Sequence, residues 1–212
     1  MIPRIVHVCW VGPKPFPYAD NLATWSRHNP GWDVRLWTDG NLPELANRDV
    51  YDLMPAYSIK VDILRLELLA RFGGLYSDAD SWCELPLDAL VRGRRALGMT
   101  GQHGNVGPGT LACMPRHRAF VRLVDGVRPR YEQLRKRCRD TGRGVSIHSV
   151  YATRYITPVL RADPTFHQVD RGRKAGTRRL ICSVNDAGPD SYIVHNSANS
   201  WRAELGGRKV RL

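Results

Sequence analysis

Two aspartates separated by one residue, Asp78 and Asp80, have the clearest capacity for chemistry in this sequence. They follow a short apolar segment, residues 75–77, which is typical of a strand. Because residues two apart in an extended segment point to the same side, both carboxylates can face one site. Divalent cations such as Mg²⁺ are bound by carboxylates together with substrate phosphates. The pair therefore predicts a metal site, although two aspartates in a turn are also common for structural reasons alone.

A strong helical pattern comes directly before this strand. Apolar residues recur at helical spacing over residues 58–72, with Ser58 as the predicted N-cap. Gly73 and Gly74 follow and predict where the helix ends. The helix must therefore deliver the chain into the strand that carries the aspartates.

This helix has charged residues on two different faces. At 100° per residue, Lys60, Glu67 and Arg71 share one side, which we expect to face solvent. Asp62 and Arg65 lie in the apolar arc instead. Buried charges are costly unless they are paired or bind a ligand. A mutual ion pair three residues apart is one explanation, but a polar ligand reached from that face also explains why the pair lies on the apolar side.

The remaining pattern alternates strands and helices. Strands are predicted over residues 2–11, 33–37, 75–77, 110–114 and 192–195, and helices over 19–28, 117–137 (broken at Pro129) and 147–160. Residues 104–109 are interpreted as a glycine-rich loop. Such alternation predicts an α/β fold with a mostly parallel sheet. We expect one domain over residues 1–212, with 202–212 as a flexible tail.

Composition excludes several classes of protein. With 212 residues, 42% of them hydrophobic and 25% charged, the chain is neither disordered nor of low complexity. No apolar run reaches the ~18 residues of a transmembrane helix, and residues 1–10 are interpreted as a strand rather than a signal peptide. Five widely spaced cysteines favour reduced thiols and a cytoplasmic location. The net charge of +12 suggests an anionic partner.

The segment SIKVDILRLELLARFGGLYSDAD, residues 58–80, resembles the signature of the glycosyltransferases with a DXD-containing sugar-binding region. That family includes yeast outer-chain mannosyltransferases and bacterial capsule enzymes, and it is distantly related to clostridial toxin glucosyltransferase domains. Further parts resemble the family in the same order, namely residues 2–12, 25–39 and 193–201. The resemblance implies a GT-A-type nucleotide-sugar-binding fold, a nucleotide-sugar donor with UDP-sugars favoured, and Mn²⁺ or Mg²⁺ as the metal.

The resemblance also implies roles for individual residues, which differ between donor and metal. Asp62 and Arg65 would bind the donor sugar, Asp78 the ribose or the metal through water, and Asp80 the metal directly. Trp10 would lie against the base and Trp201 would reach the leaving diphosphate. The remaining implied residues are Asn105 and Ser200 for the donor, and His195 and Asn199 for the metal. The chain has Asn196 where many members have a second histidine, and Asn199 replaces a small residue.

The predicted reaction is transfer of a sugar to a saccharide or another hydroxyl acceptor, with retention of configuration by front-face attack. Two basic segments, residues 116–143 and 171–179, could contact an anionic surface or nucleic acid. A phage-type or bacterial enzyme that glycosylates modified bases in DNA is therefore an alternative. A haloacid-dehalogenase-type phosphatase and a non-enzymatic nucleic-acid binder fit less well. The phosphatase needs its D-x-D at the first strand, and the binder leaves the aspartates unexplained.

Overall fold

The computed structural model describes residues 1–146, 150–169, 191–196, 209–210 and 212, and the backbone of 179–183. Its strands are β1 (Ile5–Cys9), β2 (Asp33–Trp37), β3 (Gly74–Ser77), β4 (Ser81–Cys83), β5 (Ala96–Thr100), β6 (Val106–Cys113), β7 (Val145–Ser146), β8 (Phe166–Val169), β9 (Arg179–Ser183), β10 (Ser191–His195) and β11 (Lys209–Val210). Its helices are α1 (Ala19–His28), α2 (Arg48–Leu53), α3 (Tyr57–Phe72), α4 (Asp88–Val91), α5 (Arg118–Asp125), α6 (Val127–Thr141) and α7 (Thr153–Arg161).

The central sheet has six strands in the order β2-β1-β3-β6-β5-β8. All neighbours are parallel except at β6, which runs antiparallel to both β3 and β5. The expectation of an α/β fold with a mostly parallel sheet is confirmed. Parallel neighbours need crossover connections, and here α1 joins β1 to β2, while α2 and α3 lie between β2 and β3.

A second, three-stranded sheet has the order β4-β10-β9. β10 runs antiparallel to β4, with His195 opposite Ser81. Because β4 begins directly after Asp80, this pairing brings the end of β10 back to the predicted aspartate pair.

The helix α3 is the main buried helix of the molecule. Apolar side chains cover most of its circumference, and Ile63, Leu64, Leu66 and Leu68 are fully buried. It therefore packs against the sheet and against other helices at once, which a helix that is apolar nearly all round must do.

The solvent-facing side predicted for α3 is wrong at Glu67, which is only 8% exposed. The loop before α2 covers it, and its carboxylate accepts hydrogen bonds from the backbone of Asn47 (2.9 Å), the Asn47 side chain (2.8 Å) and the backbone of Ala46 (3.1 Å). These donors replace the water that a buried carboxylate loses.

Other local expectations are also corrected. Ser58 is not the N-cap, because α3 begins at Tyr57 after Ala56 and has no side-chain cap. The break between α5 and α6 is at Gly126 rather than Pro129. Pro129 lies in the first turn of α6, where its missing N–H costs no helical hydrogen bond. Part of the predicted loop 104–109 belongs to strand β6.

The C-terminal expectations are tested in part. Helix α7 covers residues 153–161, the second half of the predicted helix, while 147–149 lie outside the described residues. Most of the predicted tail 202–212 also lies outside them. Among the helices that the structure describes, none combines the length and the apolar character that crossing a membrane requires.

Candidate active site

Asp78 and Asp80 lie in a tight turn between β3 and β4. The backbone N–H of Asp78 donates to the carbonyl of Gly109 on β6 (2.9 Å), and that of Ser81 donates back to Asp78 (3.0 Å). The carbonyl of Asp80 accepts from the backbone N–H of Asn196 (3.2 Å). The turn is therefore tied to both neighbouring segments, and these bonds fix the direction of its side chains.

The turn and strand β10 bring Asp78, Asp80 and His195 together. The His195 Nε2 atom lies 3.3 Å from Asp78 Oδ2 and 3.1 Å from Asp80 Oδ1. The three potential ligand atoms all lie within 4.8 Å of one another. Two carboxylates and one imidazole form a donor set that suits a divalent cation. We call these three residues the carboxylate–histidine cluster.

Two members of the cluster, Asp78 and His195, have shifted pKa values. Burial alone would lower the pKa of His195, but its hydrogen bonds to Asp78 and Asp80 raise it to about 10. Burial alone would raise the pKa of Asp78, but His195 and Arg65 hold it below its ordinary value. In the absence of a metal, the positive charge of a protonated His195 therefore offsets the negative charge of the two carboxylates. A cation bound between these residues can take over that role.

Asp62 and Arg65 form an ion pair beside this cluster, and both residues are buried, at 7% and 6% exposure. Arg65 Nη2 binds Asp62 Oδ1. Arg65 Nη1 donates to the carbonyl of Pro108 (2.7 Å) and lies 3.6 Å from Asp78 Oδ1. The mutual pair three residues apart is thus present, but Arg65 also connects Asp62 with the aspartate turn.

The surroundings shift the pKa values of Asp62 and Arg65 for different reasons. Burial is the main reason why the pKa of Asp62 is raised to about 6, with the Asp78 charge adding to it and Arg65 opposing it. Arg65 stays cationic: burial alone would lower its pKa, but Tyr76, Asp62 and Asp78 raise it. The buried Nε atom of Arg65 has no hydrogen-bond partner among the described residues.

Sequence reasoning missed three residues that shape the site. The Tyr76 hydroxyl donates to Asp78 Oδ1 (2.9 Å), and its ring lies under the Arg65 guanidinium at 4.8 Å. Pro108 supplies its carbonyl, as described above. At Gly109, an added Cβ would stand 2.7 Å from Asp78 Oδ2. A glycine within a strand often marks a close approach of another group, but the sequence pattern assigns residues 104–109 to a loop, so this signal appears only once β6 is known.

Trp10 lies at the carboxyl end of β1, beside the end of β3. It is partly exposed, and its indole N–H already donates to the carbonyl of Lys14 (2.8 Å). Its ring packs edge-on against Phe16 and Tyr18, with centroids 6.0 and 5.8 Å apart. The indole face therefore belongs to an aromatic group at the edge of the site. Asn105 is partly exposed just before β6, and its carbonyl accepts from Gln168 Nε2 (3.2 Å).

The structure brings together Asp62, Arg65, Asp78, Asp80 and His195 from three separate segments. Three predicted site residues, Asn199, Ser200 and Trp201, lie outside the described residues. So does most of the basic segment 171–179. Their assigned roles stay predictions.

Comparisons with known proteins identify the region that contains Asp62, Arg65, Asp78 and Asp80. Residues 15–97 match the family described as glycosyltransferase sugar-binding region containing DXD motif. Inositol phosphoceramide mannosyltransferase 1 of Schizosaccharomyces pombe is 25% identical over 215 residues, covering 94% of this chain. The chain spans 62% of the length of that relative.

Two solved structures share the fold. The PaToxG glycosyltransferase superposes with a TM-score of 0.58 at 14% identity, covering 76% of this chain and 69% of its own. A glycosyltransferase involved in the glycosylation of the major capsid of PBCV-1 gives 0.53 at 15% identity, covering 95% and 96%. The GT-A-type fold is confirmed, and residues 15–97 carry the predicted similarity to the DXD-containing sugar-binding region of the glycosyltransferases.

Proposed function

We propose that this glycosyltransferase uses a divalent metal ion to transfer a sugar from a nucleotide-sugar donor, with a UDP-sugar favoured, to a hydroxyl acceptor. The observation that carries the proposal is the position of the carboxylate–histidine cluster directly beside the buried Asp62–Arg65 pair. One group suits a metal with a diphosphate, and the other suits the hydroxyls of a sugar. Both are needed at the two ends of a sugar–phosphate bond.

The metal would be held by Asp78, Asp80 and His195. Their donor set of oxygens and one imidazole nitrogen fits Mn²⁺ or Mg²⁺, and the raised pKa of His195 beside the two carboxylates supports a site that favours positive charge. The ion would supply charge stabilisation for the diphosphate that leaves. Asn199, the fourth predicted ligand, remains part of this proposal.

Arg65 and Asp62 would position the sugar. Arg65 is held by Asp62, the Pro108 carbonyl and the Tyr76 ring, so its guanidinium is ordered before substrate arrives. Arg65 binds Asp62 Oδ1, and no described residue donates a hydrogen bond to Oδ2. That oxygen can accept from a sugar hydroxyl. Groups ordered in advance cost no reorganisation during the reaction.

The stereochemical proposal is retention by front-face attack. In this scheme the sugar–phosphate bond breaks, the acceptor oxygen bonds to the same face of the sugar carbon, and its proton leaves with the diphosphate. Asp78 and Asp80 are engaged with His195, and Asp62 is engaged with Arg65. None of these three carboxylates is thus left unpaired as a nucleophile for a covalent intermediate.

The acceptor is proposed to be a saccharide or another hydroxyl compound. DNA is the second candidate, because Arg135, Lys136, Arg137 and Arg139 on α6 are exposed and none has an ion-pair partner among the described residues. Duplex binding through such residues falls by roughly 10³–10⁵ between 50 and 200 mM salt for six to ten phosphate contacts. A steep salt dependence of transfer to DNA would favour this candidate. Transfer to neutral saccharides with no transfer to DNA would exclude it.

A donor panel tests the main proposal. The purified protein is incubated with Mn²⁺ and each of several nucleotide sugars, mannose and glucose donors included, and released nucleoside diphosphate is measured. We expect release with one donor class, loss in excess EDTA, and recovery when Mn²⁺ is added back. Undiminished turnover in EDTA would contradict the metal role, while release from no donor would contradict the proposed reaction.

A further inference from the structure

The exposed side of helix α6 is strongly basic. Its 15 residues include six basic and two acidic side chains. Val127, Leu134 and Cys138 form a buried stripe that faces the core. Four exposed cations lie to one side of this stripe, within an arc of about 100° at 3.6 residues per turn: Arg128, Arg135, Lys136 and Arg139. We call these four residues the basic face.

Most charges of the basic face are unbalanced. Arg128 pairs with Asp49 on α2 (2.6 Å). The other three cations have no ion-pair partner among the described residues. Arg139 lies three residues after Lys136 and four after Arg135, and like charges at such spacings destabilise a helix. An anionic partner would remove this repulsion.

A large apolar side chain is exposed on the same side of the molecule. Leu53, the last residue of α2, is 59% exposed. It follows Asp49 by four residues, so the two lie on one side of α2, and Asp49 pairs with Arg128 of the basic face. Leu53 is therefore roughly 6 Å along α2 from that ion pair, at 1.5 Å per residue. Together these groups favour a partner with both negative charge and an apolar layer.

This side of the molecule reaches the rim of the candidate active site. Residues 54–56 connect Leu53 to Tyr57, the first residue of α3, which is 40% exposed. The Tyr57 ring packs against Gly12, because a Cβ added at Gly12 would stand 2.9 Å from the ring. Gly12 follows Trp10, at the edge of the site, by two residues. A surface that takes up Leu53 therefore lies next to the site.

We propose that the basic face and Leu53 together dock this protein onto an anionic lipid bilayer. Each lysine or arginine near such a bilayer strengthens binding by about fivefold, and a leucine can enter the boundary between headgroups and acyl chains. The apolar stripe of α6 stays in the protein core, so α6 lies on the bilayer without inserting. A DNA duplex attracts the same cations, but its phosphates and sugars offer no apolar layer to the leucine.

Docking in this orientation brings the rim at Tyr57 to the bilayer, so that an acceptor carried by a membrane comes within reach of the site. This consequence for the acceptor rests on the proposed function. Docking itself needs neither donor nor metal, and it can therefore be tested separately.

The first test measures cosedimentation with vesicles, in EDTA and without donor. Phosphatidylcholine vesicles containing phosphatidylserine are compared with phosphatidylcholine alone, at low and at raised salt. The test variant is Arg135→Gln with Arg139→Gln, since glutamine is also a good helix former. The matched control, Arg27→Gln with Arg92→Gln, removes the same charge at exposed positions of α1 and directly after α4. These two helices pack on the other face of the central sheet from α6.

We expect the wild-type protein to bind the phosphatidylserine vesicles, to bind phosphatidylcholine far less, and to be released by salt, because salt screens exposed charges. Loss of two cations from the basic face should weaken binding by about twentyfold, at about fivefold per charge. The control pair should change it by less than about threefold, since those charges are distant from the bilayer. Equal binding by wild type and test variant, or no binding by wild type at low salt, would overturn the proposal.

A second pair of variants separates a bilayer from nucleic acid. Leu53→Ser should weaken vesicle binding by about fivefold or more, because it removes the buried apolar contact, while Leu53→Met should retain it. Neither should change binding to a DNA duplex. Duplex binding that the arginine variant loses, without vesicle binding by the wild-type protein, would assign the basic face to nucleic acid and overturn the bilayer.

Asp80→Asn keeps this proposal distinguishable from the proposed function. It should bind vesicles as the wild-type protein does, because Asp80 is outside the docking surface. Normal donor turnover without vesicle binding would overturn docking alone, and vesicle binding without turnover of any donor would overturn the proposed function alone. Circular dichroism verifies the fold of every variant.

Discussion

The two ends of the central sheet carry opposite kinds of polar group. The carboxyl end of β3 places Asp78 and Asp80 beside His195. At the other end, Arg95, Arg116 and Arg118 line a small pocket. In a chain with a net charge of +12, carboxylates thus gather at one end of the sheet and arginines at the other.

Two histidines, His7 within β1 and His195 at the end of β10, show how local partners decide the role of one residue type. His7 Nε2 donates to the carbonyl of Gly73 (2.8 Å), and its Nδ1 accepts from the Trp37 indole (3.0 Å). Burial lowers its pKa to about 4, so it stays neutral and both ring nitrogens are satisfied. His195 lies between carboxylates and has a raised pKa. The first histidine is structural, and the second is available to a ligand.

Removing one carboxylate from the cluster should have the largest effect. We expect Asp80→Asn to lower turnover by about 10³-fold, because it removes a proposed ligand of the ion that would stabilise the leaving diphosphate, and loss of such electrostatic stabilisation costs up to about this much. Asp140→Asn, an exposed aspartate on α6, should leave turnover unchanged. Initial rates with the active donor check this, and circular dichroism verifies the fold. Near-normal turnover of Asp80→Asn would show that the cluster is not part of the reaction.

Arg65→Lys should lower turnover by about 10²-fold, because a lysine cannot hold Asp62, Asp78 and the Pro108 carbonyl with one fork. Arg71→Lys, at an exposed position of the same helix, is the matched control. Turnover and the melting temperature are measured together. A large loss of stability with full turnover at low temperature would mean that the Asp62–Arg65 pair is structural only.

Gly109→Ala probes how closely β6 approaches the aspartate turn. The new Cβ would stand 2.7 Å from Asp78 Oδ2, so Asp78 must move. We expect turnover to fall about tenfold, since small misplacements of a site residue cost one to two orders of magnitude. Gly40→Ala has only Thr38 within 4 Å and should be neutral. Equal rates for the two variants would show that Asp78 tolerates displacement.

His7 offers the smallest effect, and it concerns stability rather than turnover. Its folded pKa of about 4 lies below the ordinary 6.5, so the neutral form stabilises the fold above pH 6.5. That contribution is lost as pH falls towards 4, by about 3 kcal/mol at most. Denaturant unfolding of wild type and His7→Gln at several pH values measures it. The exposed His167→Gln is the control, and an identical pH slope in all three proteins would refute the linkage.

The sequence predicted α3 and the aspartate pair because both depend on local pattern. Apolar spacing marks the helix, Gly73 with its φ of 65° ends it, and alternation places two carboxylates on one side of the chain. The unusual position of Asp62 and Arg65 on the apolar arc was also visible. Their burial agrees with their helical phase, and the ion pair between them is one of the two explanations that the sequence left open.

Other features depended on contacts between distant segments. Glu67 has the same helical phase as Lys60 and Arg71, yet it is buried because the loop at Asn47 folds over it. Gly109 is far from Asp78 in the sequence, and only the antiparallel pairing of β3 with β6 makes it a neighbour of Asp78.

By itself the sequence determined the α/β alternation, the buried charges of α3 and the aspartate turn, since each depends on residues close together along the chain. Only the tertiary structure decided that β10 returns His195 to the aspartates across more than a hundred residues. It also decided that Arg95, which precedes β5, meets Arg116 across a sheet edge. Strand pairing is set by burial of whole faces and by chain reversals, which no local spacing records.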